Sequence, residues 1–557
     1  MLYISRLKTF LISTIMMFAT LLMPLHAFSA SYFPSSSGNF LAGNQALKDM
    51  RSNEAASYFL NASETDWNNP RIIQRAFIAL GADGRIEDAA TLAQHLIEID
   101  KNNELARLVL GTIALKERRY SSTLRQLENV KAGNFTTISA IILRAWALLG
   151  EKKTNAANAL LDELSKAGLD DFSLFHRALM ADVTGDHEQA IKYIARAYQN
   201  DSYITRITEA YARILANASR FKEAKSVILA YKSKGLSNPI IREIEYSIDS
   251  NIRPGKLAST IQEGAAEMYH GIGVALANEG RNELAMLFFR LGIYLNPKAQ
   301  TITMSLAQLL EDYGLYEEAN KIYLEMDSSS VLKITAMINI AQNLNFMDNR
   351  EEAIRKLKNI TITNPTNLDA ISHLGDMFRY DKNYTEAIKA YTKALKIVGG
   401  ERPQDWRFYY VRGISYERNN EWKKAEADFL KALNLNPGHP QVLNYLGYSW
   451  VDKGLNLKPA LNLIRQAVKA RPNDGYIVDS LGWAYYKLNK KKDAVKTLEE
   501  AVRLLPNDPE INDHLGDAYW LIGRKLEATY QWKIAIDVDE LGDVTKRAEK
   551  KLKDAKF

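Results

Sequence analysis

Acidic and histidine side chains are the residues of this chain that could take part in catalysis. Asp513 and Asp517 lie four residues apart, so on a helix their carboxylates would share one face. No opposing partner can be placed for this pair, and solvent-facing helix surfaces carry such pairs commonly. The histidines form no metal-ligating, nucleophile or phosphate-binding motif; they are His26, His95, His176, His187, His270, His373, His439 and His514. The pattern predicts no enzymatic activity, no cofactor and no metal site.

The composition excludes cysteine chemistry and argues against nucleic-acid binding. The chain has no cysteine, which rules out disulfides, thiol catalysis, cysteine metal ligands and a lipidated cysteine. Its net charge of +6 comes from positive and negative side chains that are mixed along the chain. A chain of 557 residues is too long for one compact core, so several domains or a repeat array are expected.

The segment 473–536 contains one pattern twice, with a period of about 34 residues. The recurring residues are Leu481, Gly482, Tyr485, Ala494 and Ala501 in the first copy, and Leu515, Gly516, Tyr519, Ala528 and Ala535 in the second. In each copy the Leu and Tyr share one face of a first helix, and the alanines share one face of a second helix. The small residues allow the two helices to approach closely, so each copy is predicted to be a helical hairpin.

The same spacing extends over most of the chain when the small residue of each first helix is taken as an anchor. Six anchors precede residue 250 and eight follow residue 264, and within each set neighbouring anchors are separated by about one period. The anchors are Gly43, Phe77, Gly111, Ala145, Ala178, Ala212, Gly273, Ala307, Ala341, Gly375, Gly413, Gly447, Gly482 and Gly516. Phe77 is bulky where a small residue is expected, which predicts a locally wider helix pair.

A longer interval between Ala212 and Gly273, nearly two periods, divides the array. The segment 239–250 has a helical pattern and fits a degenerate repeat, and Pro254 and Gly255 then interrupt it. The sequence therefore predicts an N-terminal repeat segment at residues 39–250, a joint at residues 251–263 and a C-terminal repeat segment at residues 264–537.

The combination of Leu-Gly, an aromatic residue and two alanines at this period resembles the tetratricopeptide-repeat (TPR) superfamily. The sequence motifs around Gly447, Gly482 and Gly516 are similar to those of secreted proteobacterial TPR proteins, especially alphaproteobacterial ones. The resemblance implies an all-α, right-handed superhelix (an α-solenoid) of about 14–15 helical hairpins in two segments, whose first helices line a concave groove. Related envelope adaptors deliver cell-wall hydrolases to a carboxyl-terminal processing protease, but they carry a lipidated cysteine that this chain lacks.

Aromatic and acidic side chains near the last two anchors are the main candidates for partner binding in that groove. Trp483, Tyr486 and Trp520 are not core positions of the repeat consensus, and large aromatic residues on an open face are typical binding anchors. The acidic residues that flank them are Asp479, Asp513 and Asp517. The alternative is that these rings pack against the next repeat or the terminal helix.

Earlier repeats place more candidate partner-binding residues on the same predicted surface. These residues are Asn444, Tyr448, Arg379, Arg407 and Tyr410. They predict a groove that changes from an arginine–tyrosine section to an aspartate–tryptophan section. The Lys and Asn residues with which TPR chaperone cofactors clamp a C-terminal carboxylate are absent at the corresponding positions. We therefore expect a protein or peptide partner of another kind.

The first thirty residues are typical of a secretory signal peptide. Arg6 and Lys8 precede an uncharged apolar run at residues 10–25, and small residues follow at Ala27 and Ala30. The pattern predicts a cleaved signal at residues 1–30, a flexible leader at residues 31–38 and a periplasmic or secreted protein of a Gram-negative bacterium. No stable membrane insertion is expected after cleavage. The alternative is an uncleaved inner-membrane anchor, for which the apolar run is slightly short.

The last segment, residues 538–557, is predicted to be a basic helix. Its positive residues are Lys546, Arg547, Lys550, Lys551, Lys553 and Lys556. A helix that caps the last repeat needs a soluble outer face, and positive charge is favourable near a helix C-terminus. The alternative is a basic patch that binds lipid or cell-wall anions.

Taken together, these features predict a periplasmic adaptor or scaffold that binds a partner protein or peptide in its groove. An envelope protease or a cell-wall enzyme would suit such a role in cell-envelope maintenance. The alternative is a protein that binds glycans or cell-wall polymers, because Trp and Tyr faces beside Asp also suit sugars. An enzyme with an unrecognised site ranks last.

Overall fold

The computed structural model describes residues 35–130 and 134–555. These residues form helices and turns with no strand among them, which confirms the predicted all-α class. The predicted signal segment at residues 1–30 lies outside the described residues. The predicted leader ends earlier than residue 38, because a helix begins at Ser36, where the Ser35 hydroxyl accepts a hydrogen bond from the Gly38 N–H at 3.0 Å. None of the described helices combines the length and the apolar character needed to cross a membrane.

The described part of the N-terminal half consists of six helical hairpins and one unpaired helix. Its helices are α1 (Ser36–Lys48), α2 (Ser52–Ser63), α3 (Pro70–Asp83), α4 (Ile86–Ile99), α5 (Glu104–Lys116), α6 (Tyr120–Leu127), α7 (Asn134–Gly150), α8 (Thr154–Lys166), α9 (Asp170–Thr184), α10 (His187–Asn200), α11 (Thr205–Asn217), α12 (Phe221–Ser233) and α13 (Pro239–Asp249). Gly84 and Gly185 end α3 and α9 with φ of +92° and +84°, a conformation that glycine adopts without strain.

The C-terminal half adds eight hairpins and a terminal helix. Its helices are α14 (Ile261–Asn278), α15 (Asn282–Leu295), α16 (Gln300–Asp312), α17 (Tyr316–Glu325), α18 (Lys333–Phe346), α19 (Arg350–Thr363), α20 (Leu368–Tyr380), α21 (Tyr384–Val398), α22 (Trp406–Arg418), α23 (Trp422–Leu435), α24 (Pro440–Asp452), α25 (Leu457–Ala470), α26 (Gly475–Lys487), α27 (Lys491–Leu504), α28 (Pro509–Leu521), α29 (Lys525–Asp537) and α30 (Thr545–Asp554). A 3-10 turn at Pro403–Asp405 precedes α22. The described helices thus form an α-solenoid in which each predicted anchor has its own hairpin, and the degenerate repeat is the single helix α13.

The anchors lie where the first helix of each hairpin crosses the second. A Cβ at Gly375 of α20 would lie 2.6 Å from the ring of Tyr391, which projects from the second helix α21. Phe77 is the bulky exception among the anchors, but Ala93 occupies the position equivalent to Tyr391 in its hairpin, and both Phe77 and Ala93 are fully buried. The large and small side chains have exchanged positions. This exchange accommodates the bulky anchor without requiring the wider helix pair that the sequence predicts.

The α14–α15 hairpin fills the N-terminal groove, which is the surface formed by α3, α5, α7 and α9. After α13 the chain turns back through residues 252–260, and α14 and α15 then pack against these four first helices. A Cβ at Gly81 would overlap Leu287 of α15, and one at Gly264 of α14 would overlap the fully buried ring of Trp146. The hairpin and the groove are therefore packed as closely as a protein core.

Buried polar contacts hold the α14–α15 hairpin in this position. Arg206 of α11 donates to Glu267 of α14 at 2.6 Å and to Glu209 at 2.6 Å, and all three side chains are largely buried. The hydroxyls of Thr112 and Tyr269 share a hydrogen bond in the interior. Breaking a buried ion pair by removing one partner is strongly destabilising, so these contacts require the hairpin to stay docked.

The distribution of core residues differs from the predicted domain boundaries. One continuous hydrophobic core extends from Ala46 in α1 to Ile340 in α18, and several smaller clusters follow it. The sequence predicts a joint at residues 251–263, but the change from one large core to small clusters falls in α18. The physical reason is that α14 and α15 bury their apolar faces against the N-terminal hairpins.

Candidate functional site

The C-terminal groove is the surface formed by the inner faces of the first helices α20, α22, α24, α26 and α28. Every extensive contact of these five helices is with a helix no more than two places away along the chain. No described hairpin therefore fills this groove as α14–α15 fills the N-terminal one. Half-buried aromatic residues on its helices include Tyr410, Tyr445, Tyr448, Tyr486 and Trp520.

Trp483 is not the open binding anchor that the sequence predicts. Its side chain is only 9% exposed. The indole stacks on the imidazole of His514 in the next hairpin, with ring centroids 4.0 Å apart and planes 13° apart. On the same helix it also stacks on Tyr486, at 4.7 Å and 6°. Trp483 therefore packs against the next repeat, as the alternative interpretation of the sequence predicts. His514 on the facing helix provides the planar ring on which it stacks.

His514 is a buried cation held between two carboxylates. Its Nδ1 lies 2.9 Å from Asp479, and its Nε2 lies 3.3 Å from Glu510. Burial acts to lower the pKa of the imidazole, but Asp479 and Glu510 outweigh burial and raise this pKa to about 10. Burial acts to raise the pKa of Glu510, but His514 and Arg547 lower it to about 2. At neutral pH the Trp483 ring therefore rests on an imidazolium ion.

The predicted acidic flank of the site is neutralised by the terminal helix α30. Asp513 is 1% exposed and accepts hydrogen bonds from Arg547 Nε at 2.7 Å and Lys551 Nζ at 2.8 Å. Asp517 pairs with Lys551 at 2.6 Å and accepts a hydrogen bond from the Trp532 indole at 3.0 Å. Two basic residues of α30, Arg547 and Lys551, therefore act within the chain, and these two aspartates already have cationic partners.

Trp520 is half-buried, and its ring lies 5.5 Å from that of Trp532 in the same hairpin, at an interplanar angle of 42°. Lys525 lies 5.2 Å from the Trp520 ring centroid. Tyr486 is also half-buried. Of the three aromatic residues predicted as anchors, Trp520 and Tyr486 therefore keep part of their surface open, and Trp483 does not.

Asn444 and Tyr448 lie one turn apart on α24, both half-buried in the groove. The Asn444 Oδ1 atom is buried and has no hydrogen-bond partner among the described residues. Burial raises the pKa of the Tyr448 hydroxyl, and the nearby carboxylates of Glu510 and Asp479 act in the same direction. The hydroxyl is therefore a protonated donor at neutral pH, and the Asn444 side chain one turn earlier has an amide oxygen that lacks a partner.

The arginine–tyrosine section is only partly available to a ligand. Arg379 pairs with Asp376 at 3.3 Å, and its side chain is 14% exposed. Arg407 is exposed, lies over the ring of Phe408 at 5.2 Å, and has no ion pair with any described residue. Tyr410 is half-buried against Tyr445, with ring centroids 6.0 Å apart, and burial raises its pKa to about 12. Arg407 and Tyr410 are therefore the accessible members of this section.

Sequence reasoning missed the groups that connect the last repeats, above all His514, Glu510 and Arg547. The sequence was searched for catalytic and metal-ligating motifs only, so His514 was not recognised as a structural residue. A detectable signal was present, since Glu510 and His514 are four residues apart on one helix and Asp479 precedes His514 by about one repeat period. Tyr445 was also missed as a groove residue, and it lies between Tyr410 and the ring of Phe429.

Four segments of the chain match sequence profiles of known repeats. Three are described as tetratricopeptide repeat and match residues 266–298, 370–404 and 406–439. The fourth is described as TPR repeat and matches residues 482–523. These segments coincide with the hairpins that begin at α14, α20 and α22, and with the stretch from α26 to α28.

Curated relatives share short parts of the chain. A TPR repeat-containing protein of Pseudomonas aeruginosa is 34% identical over 92 residues, which is 16% of this chain and 16% of that protein. Human tetratricopeptide repeat protein 13 is 25% identical over 187 residues, or 33% of this chain and 21% of that protein. The chain therefore spans no more than about a fifth of the length of these relatives.

Solved structures give matches over most of the chain at low similarity. The Cut9–Hcn1 hetero-tetramer of the APC/C is matched over 92% of this chain and 96% of the other, at 14% identity and a TM-score of 0.38. Yeast Tom70 is matched over 93% and 95%, at 14% identity and a TM-score of 0.36.

Replacing Trp483 by Ala should destabilise the last repeats more than replacing Trp520 by Ala. Truncating a buried Trp costs about 3–5 kcal/mol, and the Trp483 ring also covers the charged His514. Trp520 is half-buried, so about 1–2 kcal/mol is expected from its lost apolar contact. Hydrogen exchange of α26 and α28 in each variant measures the local free energy of opening. Equal, small losses in both variants would show that Trp483 is not a packing residue.

The stability of the last repeats should fall as the pH rises from about 7 to about 10. In that interval the folded protein keeps the proton on His514, whose pKa is raised to about 10, while the unfolded chain, with a pKa near 6.5, has lost it. Raising the pH therefore favours unfolding, by up to about 1.4 kcal/mol per pH unit. Urea unfolding of the wild type and of His514→Gln between pH 7 and 10 measures this slope. The same slope in both proteins would contradict a raised pKa.

Proposed function

Because the chain belongs to the tetratricopeptide-repeat superfamily, we propose that it is a protein-interaction scaffold that holds a segment of a partner protein in its C-terminal groove. One observation supports this site above the N-terminal groove. The α14–α15 hairpin fills the N-terminal groove, whereas no described hairpin fills the inner face of α20 to α28. A partner segment would take the place that α14–α15 has in the first half.

Stacking and apolar contact would provide most of the binding free energy at this site. The rings of Tyr410, Tyr448 and Trp520 are held on packed helices and lose little conformational entropy when a ligand covers them. Most charges beside them already have partners within the chain, such as Asp513 with Arg547. We therefore expect a partner segment with aliphatic or aromatic side chains, and an affinity that depends only weakly on salt.

We further propose that the scaffold acts in the periplasm, in maintenance of the cell envelope. Export is supported by the positive residues, the apolar run and the small residues at positions 1–30. A chain without cysteine also needs no disulfide formation in order to fold in the periplasm. N-terminal sequencing of the protein isolated from a periplasmic fraction tests the location. A mature chain that starts shortly after Ala27 is expected, and a full-length protein in the inner-membrane fraction would contradict the proposal.

A photo-crosslinking amino acid placed in the groove should capture the partner. In place of Tyr448, which is half-buried in the groove, p-benzoylphenylalanine should crosslink a specific protein from an envelope extract. In place of Tyr530, which is 57% exposed on the second helix α29, it should capture little or none of that protein. The captured protein, once purified, should bind Tyr410→Ala and Trp520→Ala at least about tenfold more weakly than wild type.

Three results would contradict the proposed groove. The first is capture of the same protein from both positions, and the second is unchanged affinity of the two groove variants. The third is capture of peptidoglycan fragments in place of protein at position 448, which would favour the glycan-binding alternative. Tyr530→Ala serves as the matched binding control, because it removes an equally large ring from a second helix.

A further inference from the structure

A cleft on the outer side of the N-terminal half lies between two second helices. It has a volume of about 420 Å³, and residues of α6, α7 and α8 line it. Its walls are mostly aliphatic and include Leu124, Leu148 and Leu160. Helix α6 is eight residues long and ends at Leu127, so its last turn does not cover the outer face of α7. A volume of a few hundred Å³ can hold two or three side chains of a ligand.

Arg144 lies in this cleft without a partner of its own. Its Nε atom is buried and has no hydrogen-bond partner among the described residues. No carboxylate oxygen of the described residues lies within 4.0 Å of its guanidinium nitrogens. Three other charged residues that line the cleft, Arg125, Glu128 and Glu163, are exposed at its rim, and neither glutamate pairs with Arg144. Arg144 is partly buried, and an unpaired guanidinium beside aliphatic side chains gains charge-assisted hydrogen bonds when an anion approaches it.

The repeats provide an internal comparison for this arginine. Arg144 immediately precedes the anchor of its first helix, and Arg177 and Arg412 occupy the same repeat position in α9 and α22. Arg177 pairs with Asp162 at 2.6 Å, and Arg412 makes a bidentate pair with Asp428 at 2.7 and 2.8 Å. Three repeats have an arginine at this position, and in two of them the arginine forms an ion pair with a carboxylate of the chain.

The hairpins around Arg144 provide neither of those ion pairs. Asp428 lies 16 residues after Arg412, and the residue 16 after Arg144 is Leu160. Asp162 lies 17 residues after the anchor Ala145, and the residue 17 after the anchor Gly111 is Glu128, which is exposed at the rim and forms no ion pair with Arg144. In the cleft an aliphatic wall therefore replaces one of the two carboxylates, and the other is not engaged by the arginine.

We propose that this cleft binds an acidic side chain of a partner polypeptide, flanked by aliphatic residues, with its carboxylate on Arg144. The guanidinium can accept a carboxylate in a bidentate geometry, as Arg412 does with Asp428. The leucine walls fit the flanking aliphatic residues. The two rim glutamates, Glu128 and Glu163, outnumber the rim cation Arg125 and favour basic residues farther out on the ligand, so the complementary charge order along the segment is basic, acidic, basic.

This site is separate from the C-terminal groove in both position and chemistry. It lies on the second-helix side of the N-terminal half, and its central contact is an ion pair, so binding there should weaken as salt increases. The scaffold proposed above could use both sites on one partner or on two. Loss of one interaction leaves the other measurable, because the two sets of variants share no residue.

The test uses the full chain and an array of immobilised pentapeptides. Each peptide has a central Glu or Asp, Leu, Ile or Val on either side of it, and Lys or Ser at both ends, and each has a matched Gln or Asn counterpart. Wild type is expected to bind a subset of the acidic peptides with Lys ends and to bind their amide counterparts at least about tenfold more weakly.

Three variants decide whether Arg144 is the recognition group. Arg144→Leu installs the residue that several repeats carry before the anchor, such as Leu306 and Leu446, and should bind at least about tenfold more weakly. Leu160→Asp supplies the carboxylate that Asp428 provides for Arg412, and should weaken binding similarly while Arg144 remains. Arg177→Leu removes the paired arginine of the next repeat and should bind like wild type. Circular dichroism melts establish that all three variants are folded.

Several results would each overturn the proposal. These are an array on which no acidic peptide binds better than its amide counterpart, a folded Arg144→Leu protein with wild-type binding, or a folded Leu160→Asp protein with wild-type binding. Equal loss in Arg144→Leu and Arg177→Leu would also overturn it, because an internally paired arginine should not contribute to ligand binding.

Discussion

The structure depends on the need to remove the apolar inner face of the N-terminal hairpins from water. The first helices of that half bury large side chains such as Trp146 completely, and an open groove would expose this ring to water in part. The α14–α15 hairpin covers this face, and its own glycines, such as Gly264, allow the close approach. The buried pair of Arg206 and Glu267 adds a position-specific contact to an otherwise apolar interface.

The two halves of the solenoid consequently differ in what they can do. The first half is a closed body with one continuous core, and its outer side carries the cleft around Arg144. The second half has smaller clusters between neighbouring hairpins and a groove without an internal occupant among the described hairpins. Most of its charges have partners within the chain, among them His514 and residues of α30, so the half-buried rings and Arg407 are the groups left for a ligand. A rigid, aromatic groove with few unpaired charges is suited to polypeptide recognition by stacking.

The repeat period predicted every hairpin because a small anchor and a large residue on the paired helix are both visible in the sequence. It could not predict where the α14–α15 hairpin docks. Gly273 and its partner Phe289 satisfy the consensus as the other repeats do, and a consensus that defines one hairpin does not specify a distant neighbour. Trp483 was misjudged for the same reason, since its burial depends on His514 one repeat away. The Arg144 cleft emerged only when equivalent arginines could be compared with their partners.

A disulfide between α3 and α15 tests most directly whether the α14–α15 hairpin fills the N-terminal groove. The chain has no cysteine of its own, and a Cβ at Gly81 would lie 3.7 Å from Leu287 Cγ, so Gly81→Cys with Leu287→Cys places two thiols within bonding reach. After mild oxidation of the folded protein and denaturation without reductant, mass spectrometry should find these two peptides linked in most molecules. The pair Gly81→Cys with Leu430→Cys, whose second site is exposed on α23, should remain unlinked. Free thiols in the first pair under conditions that preserve the helical fold would contradict the docked hairpin, and with it the assignment of the C-terminal groove as the open one.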